Sequence, residues 1–376
     1  DQYLNRRENG NPSIADLLHD DGYDIVVLDW VDSKDFIQRN ALGLTKLIQT
    51  INGQIDGTGT PIQAVVGVSM GGLVARYALL RMESAGQDHN VHAFVSYDGA
   101  QQGGNVPLGL QYHLSDIPGA ADALVGGRAR RYSDDLRRPG TRQLLVLNRQ
   151  DGMNDPLRGA LFSEIQTLGD YPDDVRRVAI VNGSGVGDSQ FRTQGLENAP
   201  AGSFPESYVR LDPGDQFVSQ TFRGTVFGIG LALEIKHWAV PDDSYALIEE
   251  NITRACVTIL GCVREIERNQ QFTVSTPPID GAPGGWRGSP QSLETDADKW
   301  FLDLILSVPG LPDVDTDVYA SRHAFIATVS ALDYATSGQS RQALLGGVFS
   351  SQDVLHDISS DTPAQRAERT PFDAFY

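Results

Sequence analysis

The residues with the most evident chemistry are Gly67-Val68-Ser69-Met70-Gly71. The run before them, Ile62-Gln63-Ala64-Val65-Val66-Gly67-Val68, is β-like, and Leu73, Val74, Tyr77, Ala78 and Leu80 after them follow a helical pattern. A serine between two glycines at that junction fits a sharp strand-to-helix turn that lifts its hydroxyl clear of the backbone. G-x-S-x-G recurs by chance in a glycine-rich chain, so its place between these two elements carries the reading. The chemistry is nucleophilic attack by Ser69 Oγ on an acyl carbon, with the Met70 amide donating to the oxyanion that forms. The alternative is a glycine-rich turn with a solvated serine.

Such a serine needs a base and an acid to orient that base. Of seven histidines, His89 and His92 flank the start of a strand, at its end away from Ser69. His113 lies in a stretch with no strong strand, and His237 falls on an alternating apolar face, where a structural role is expected. His323, directly before a strand-like run, and His356, in Val354-Leu355-His356-Asp357, are the candidate bases. Asp98 follows the strand next after Ser69, and Asp188 follows the strand after that. Either aspartate could orient a histidine, or could cap a loop.

The elements around these residues alternate. Ser13 caps a short helix from Ile14 that ends near Gly22. Asp24-Ile25-Val26-Val27-Leu28-Asp29-Trp30 reads as a strand buried on both faces, and Ile37, Leu44, Leu47, Ile48 and Ile51 share a helical face. Val91–Tyr97 and Val175–Val181 are further strands. Repeated strand and helix, with apolar runs rather than alternation, predict a doubly wound α/β sheet. The 105–172 stretch reads as an insertion over a site or a long surface loop. An antiparallel β insertion is expected near 203–240, from the alternation at Leu231, Leu233, Ile235 and His237. Residues 276–292 are a Pro/Gly-rich loop, and Ala324–Val329 is a last strand-like run.

Ser69-Met70-Gly71-Gly72-Leu73-Val74-Ala75-Arg76-Tyr77-Ala78-Leu79 resembles the turn and helix of lipase/esterase-type α/β-hydrolases. Ser96-Tyr97-Asp98-Gly99-Ala100-Gln101-Gln102-Gly103-Gly104-Asn105 is similar to a segment of secreted bacterial members that often carries Pro-His-x-Gly; Ala100-Gln101-Gln102-Gly103 stands there instead. Phe325-Ile326-Ala327-Thr328-Val329-Ser330-Ala331-Leu332 resembles a late V-P-x-x-S-A segment. The resemblance covers 13–105 well and 175–185 and 323–332 loosely. It implies an α/β-hydrolase core over 1–104 and 173–376, with a cap insertion over 105–172. It also implies a triad in the chain order Ser, Asp, His, which removes His19. It sets His323 where relatives often carry the acid, and it leaves open a histidine beyond Tyr376, because similar proteins continue past a segment like Thr370-Pro371-Phe372-Asp373. The second oxyanion donor is expected on a loop upstream of the first helix, where Asp1–Asn11 reads as no buried strand. The implied activity is hydrolysis of carboxylic esters, of lipid or polyester type included, by a secreted or periplasmic enzyme. Thioester or amide cleavage on the same turn, or a non-catalytic binding role, are the alternatives.

Composition narrows the classes. The chain has 376 residues, 40% of them hydrophobic and 8% aromatic, enough for a large core and incompatible with wholesale disorder. Its net charge of −19 repels nucleic acid and anionic membrane surfaces. No apolar run reaches the length of a membrane span; the Gly-broken Val226–Leu233 comes nearest. Asp1–Glu8 is polar, unlike a signal peptide, and reads as an internal stretch of a longer chain. Cys256 and Cys262 would meet across a turn at Gly261 as a small disulfide loop, or diverge on a continuous helix. Asp313-Val314-Asp315-Thr316-Asp317 has the opening spacing of a calcium loop without its glycine and distal glutamate, so a solvated acidic turn is expected. No pattern suggests zinc, a nucleotide or another cofactor, and nothing fixes the oligomeric state.

Overall fold

The structure is a computed structural model that describes residues 4–7, 11–108, 110–111, 134–148, 155–183, 185, 216–226, 229–239, 245–257, 261–274, 279, 282–287, 313–319, 323–336 and 356–376. It is mixed α/β, and its main sheet is parallel. That sheet has the order β1 (Ile62–Val68), β2 (Val91–Tyr97), β3 (Arg176–Ile180) and β11 (Ala374–Phe375). The register aligns Val68 with Tyr97 and Tyr97 with Ile180, so three strands end level with one another.

Helices cover one face. Ser13 caps α1 (Ile14–Asp20) through a reciprocal capping box with Asp16, as the sequence pattern requires. The long amphipathic α2 (Ile37–Ile55) packs on α3 (Met70–Ser84), which lies over β1 and β2. With α5 (Pro156–Leu168), these helices enclose Ile37, Leu73, Val74, Tyr77, Leu161, Phe162 and Ile165. Short α4 (Pro139–Leu144) precedes α5. Among the described residues no helix is long and apolar enough to cross a membrane.

Residues 24–30 depart from expectation. The run forms no strand: β1 is the outer strand of its sheet, and the run has no ladder partner, so Val26 and Val27 stay exposed. A β-branched sequence favours extended backbone, but a strand also needs a neighbour to take its hydrogen bonds. Val66 and Val68 on β1 are exposed as well.

The antiparallel part is larger than the alternation near 203–240 suggested. Strands β4 (Gln216–Val226), β5 (Ile229–Ala239), β6 (Tyr245–Val257) and β7 (Gly261–Val274) form a meander, and β9 (Asp313–Tyr319) joins on the outer side of β4. The mixed charges of 245–274 hid its strands from a reading based on alternation. The Asp313–Asp317 cluster lies in β9, an extended strand rather than a turn. Cys256 and Cys262 lie on the hairpin of β6 and β7, beside the paired positions Val257 and Gly261, so the continuous-helix alternative falls. A short antiparallel pair, β8 (Gly284–Arg287) with β10 (His323–Ala327), leads into α6 (Thr328–Ala331). Helix α7 (Pro363–Arg369) then returns the chain to β11.

Behind the level strand ends lies a buried charge. Arg76 of α3 has no solvent exposure. Its guanidinium pairs with Asp170 and lies 3.3 Å from Asp333, and it stacks over the Tyr171 ring at 3.6 Å. Removing the cation would leave both carboxylates without their counter-charge. We expect Arg76→Met to lower unfolding free energy by about 3–5 kcal/mol in denaturant titrations; a loss below about 1 kcal/mol would mean the charges are not coupled.

Candidate active site

Ser69 stands between the last residue of β1 and the first of α3, with φ 53° and ψ −122°. That backbone conformation is costly for a residue with a Cβ, and such strain gathers at functional positions. The Ser69 amide donates to the Tyr97 carbonyl at 3.0 Å, its carbonyl accepts from the Ala100 amide at 3.1 Å, and its side chain makes no capping bond to α3. Ser69 is half-buried, and its Oγ has no hydrogen-bond partner among the described residues. The Met70 and Gly71 amides open α3 and have no carbonyl one turn back, so both remain available to an anion at the helix start.

The glycines divide the task differently from the motif. A Cβ on Gly67 would meet the Gly71 carbonyl and come within 2.6 Å of the Gly72 Cα, so the helix sits against the strand only because residue 67 has no side chain. A Cβ on Gly72 would come within 2.9 Å of the Gly99 Cα. Gly71, although part of the motif, faces open space beside Ser69. Gly72, outside the motif, is the one that lets the loop after β2 close on the helix.

Asp98 follows β2, one strand over from Ser69, with φ 43°. Its amide donates to the Ile180 carbonyl at 2.6 Å, and its carboxylate accepts from the Asn182 amide at 3.3 Å. A Cβ on Gly285 would collide with this carboxylate, so β8 covers it at close range. Burial pushes the Asp98 pKa above the ordinary carboxylate range, against the Asn182 bonds and the nearby Arg287 charge. Ser69 and Asp98 therefore share one edge of the sheet. Tyr376 reaches that edge too, accepting from the Val181 amide at 2.9 Å. Asp188 lies outside the described residues, as does His113.

The two candidate histidines are placed very differently. His323 is fully buried on β10, opposite Arg287, with Nδ1 2.9 Å from the Ala324 carbonyl. Burial lowers its pKa to about 4. His356 is partly exposed; its Nε2 lies 2.8 Å from Asp361 Oδ2, and its ring stacks on Tyr334 at 5.8 Å. The same Asp361 oxygen accepts from Tyr334 and from Arg369, each at 2.6 Å. Asp361 escaped the sequence reading, whose only available signal was an acid five positions after His356. Neither histidine is hydrogen-bonded to Ser69. His89 pairs with Glu83 at 3.1 Å, and His92 lies on β2.

No family model matches the chain, and no curated protein matches it. Among solved structures it is similar to the mature form of a lipase from Bacillus licheniformis (BlEst2). That match has 14% identity and a TM-score of 0.28, over 45% of this chain and 57% of the lipase.

Two outcomes follow from this geometry. Gly67→Ala should cost about 1–3 kcal/mol of stability by overpacking the turn, whereas Gly71→Ala should change it by less than about 1 kcal/mol. Denaturant titration of the two variants separates them, and equal effects would contradict the packing described. The second concerns pH. His323 titrates near 4 when folded and near 6.5 when unfolded, so its neutral burial contributes fully above pH 6.5. That contribution is lost as pH falls to 4, because only the unfolded chain takes up the proton. The loss is roughly 3 kcal/mol, and His323→Gln should flatten the stability curve over that interval.

Proposed function

We propose that this protein is a serine hydrolase of the α/β-hydrolase type that cleaves carboxylic esters, with Ser69 as nucleophile. The observation that carries the reading is the backbone of Ser69: left-handed φ at a strand-to-helix turn, wedged by Gly67, with an Oγ that caps nothing. Connecting turns elsewhere in the chain place Asn90 and Asp170 at positive φ, a conformation Asn and Asp tolerate far better than serine. The Met70 amide binds the oxyanion of the tetrahedral intermediate, and Gly71 leaves room for the acyl group.

In this reading a histidine takes the Ser69 proton, returns it to the leaving alcohol, and then activates water to release the acyl group. Asp98 supports the base from the neighbouring strand end; Asp188 is the other aspartate proposed for that role. His356, already oriented by Asp361, is the better base among the described histidines. His323, held neutral down to about pH 4, would accept a proton poorly. The substrate is a small or lipid-like ester, or a polyester chain, met in a secreted or periplasmic setting.

The test is phosphonylation by a fluorophosphonate probe, in which Ser69 Oγ bonds to phosphorus and fluoride leaves, read by intact mass and peptide mapping. Ser69 should carry the adduct, and Ser69→Ala should lower ester kcat/KM by about 10⁴-fold or more. Retained hydrolysis in the Ser69→Ala protein would rule the mechanism out. Matched ester, thioester and amide substrates then rank the competing activities, with the ester expected fastest. His356→Ala should slow acylation by about 10²-fold or more if His356 is the base.

A further inference from the structure

The strain at Ser69 and Asp98 must be held by something, and the contacts that hold it run to a residue with no place in the chemistry. Asp333 is fully buried just after α6, with φ 45°. One of its carboxylate oxygens accepts from Gln102 Nε2 at 2.6 Å, the other from the Tyr171 hydroxyl at 2.8 Å, and Arg76 lies 3.3 Å away. Gln102 belongs to the loop that begins at Asp98. Its amide lies 3.2 Å from Ser330 Oγ, its carbonyl accepts from Arg158 at 2.5 Å, and Ser330 Oγ donates to the Gly103 carbonyl at 2.6 Å. At its other end this loop donates from Ala100 to the Ser69 carbonyl at 3.1 Å. Gln101 bridges the two sides, donating to Ser96 Oγ at 2.9 Å and accepting from Arg76 at 3.4 Å.

We propose that Asp333 is a positioning residue: through Gln102 it fixes the 98–104 loop, and through Arg76 it fixes the helix that begins immediately after Ser69. One carboxylate thereby sets both the Asp98 backbone and the helix start that would bind the oxyanion. Its effect on rate rests on the serine-hydrolase reading, whereas its effect on the loop does not. Side chains that orient reacting groups without touching them govern rate through sub-ångström placement.

The experiment compares the wild type with Asp333→Asn and Gln102→Leu by two readouts. Gln102→Leu leaves the Arg76 ion pairs in place, so it keeps the test open if Asp333→Asn does not fold. Hydrogen exchange of the 98–104 and 69–72 amides reads positioning, and the rate of phosphonylation by the fluorophosphonate, with ester kcat and KM, reads function. We expect Gln102→Leu to raise exchange in the loop at least about tenfold while β1–β3 stay protected. Phosphonylation and kcat should fall about 10- to 100-fold with KM little changed. A lowered melting temperature with loop exchange and phosphonylation both within about twofold of wild type would overturn the proposal, because that is the result of a merely structural role. If wild-type Ser69 does not react at all, the hydrolase reading fails instead. Loop exchange then decides alone: opened exchange upholds positioning by Asp333, and unchanged exchange overturns it.

Discussion

A guanidinium sealed from water sits on the helix that Ser69 opens, and much of the described core is arranged around satisfying it. Arg76 brings Asp170, Asp333, Tyr171 and Gln101 to one place from three separate segments of the chain. Desolvating such a charge costs several kcal/mol unless its partners are close and fixed. Because each partner is itself hydrogen-bonded onward, the need of one charge becomes a constraint on every loop at that edge. The helix cannot slide along β1 without breaking those bonds, and the loop after β2 cannot lift without uncovering Gln101 and Gln102.

That rigidity explains how four non-glycine residues keep left-handed backbones within one small region. Ser69, Asp98, Asp170 and Asp333 have φ of 53°, 43°, 72° and 45°. Each such conformation costs about 1–3 kcal/mol and persists only where the surroundings over-determine it. Here the surroundings are ladder-like bonds from Tyr97 and Ile180, the close approach of Gly67 and Gly72, and the carboxylate of Asp333. Strain at the sheet edge and charge behind it are two sides of one construction.

Much of the local structure was legible in the sequence because it depends on neighbours along the chain. Ser13 marked the start of α1, the apolar spacing from Ile37 marked α2, and the β-branched runs marked β1, β2 and β3. Asp24–Trp30 shows the limit of that reading, since its composition is that of a buried strand and it has no strand beside it. The meander over 216–274 shows another, because charged residues on long strands erase the period-2 signal. Asp361 was invisible for a different reason. Its bond to His356 closes across a short turn, and Tyr334 and Arg369 arrive from elsewhere in the chain.

By itself the sequence determined the strand–turn–helix at Gly67-Val68-Ser69-Met70-Gly71, because glycine spacing and flanking periodicity suffice to specify a local turn. It could not say which glycine bears the close packing, since Gly71 and Gly72 differ only in what lies across from them: open space for one, Gly99 for the other. It likewise could not pair Arg76 with Asp333, or His356 with Asp361. Only the tertiary structure decided those partners, because attraction between charges depends on distance and desolvation, and both are set by how the chain folds back on itself.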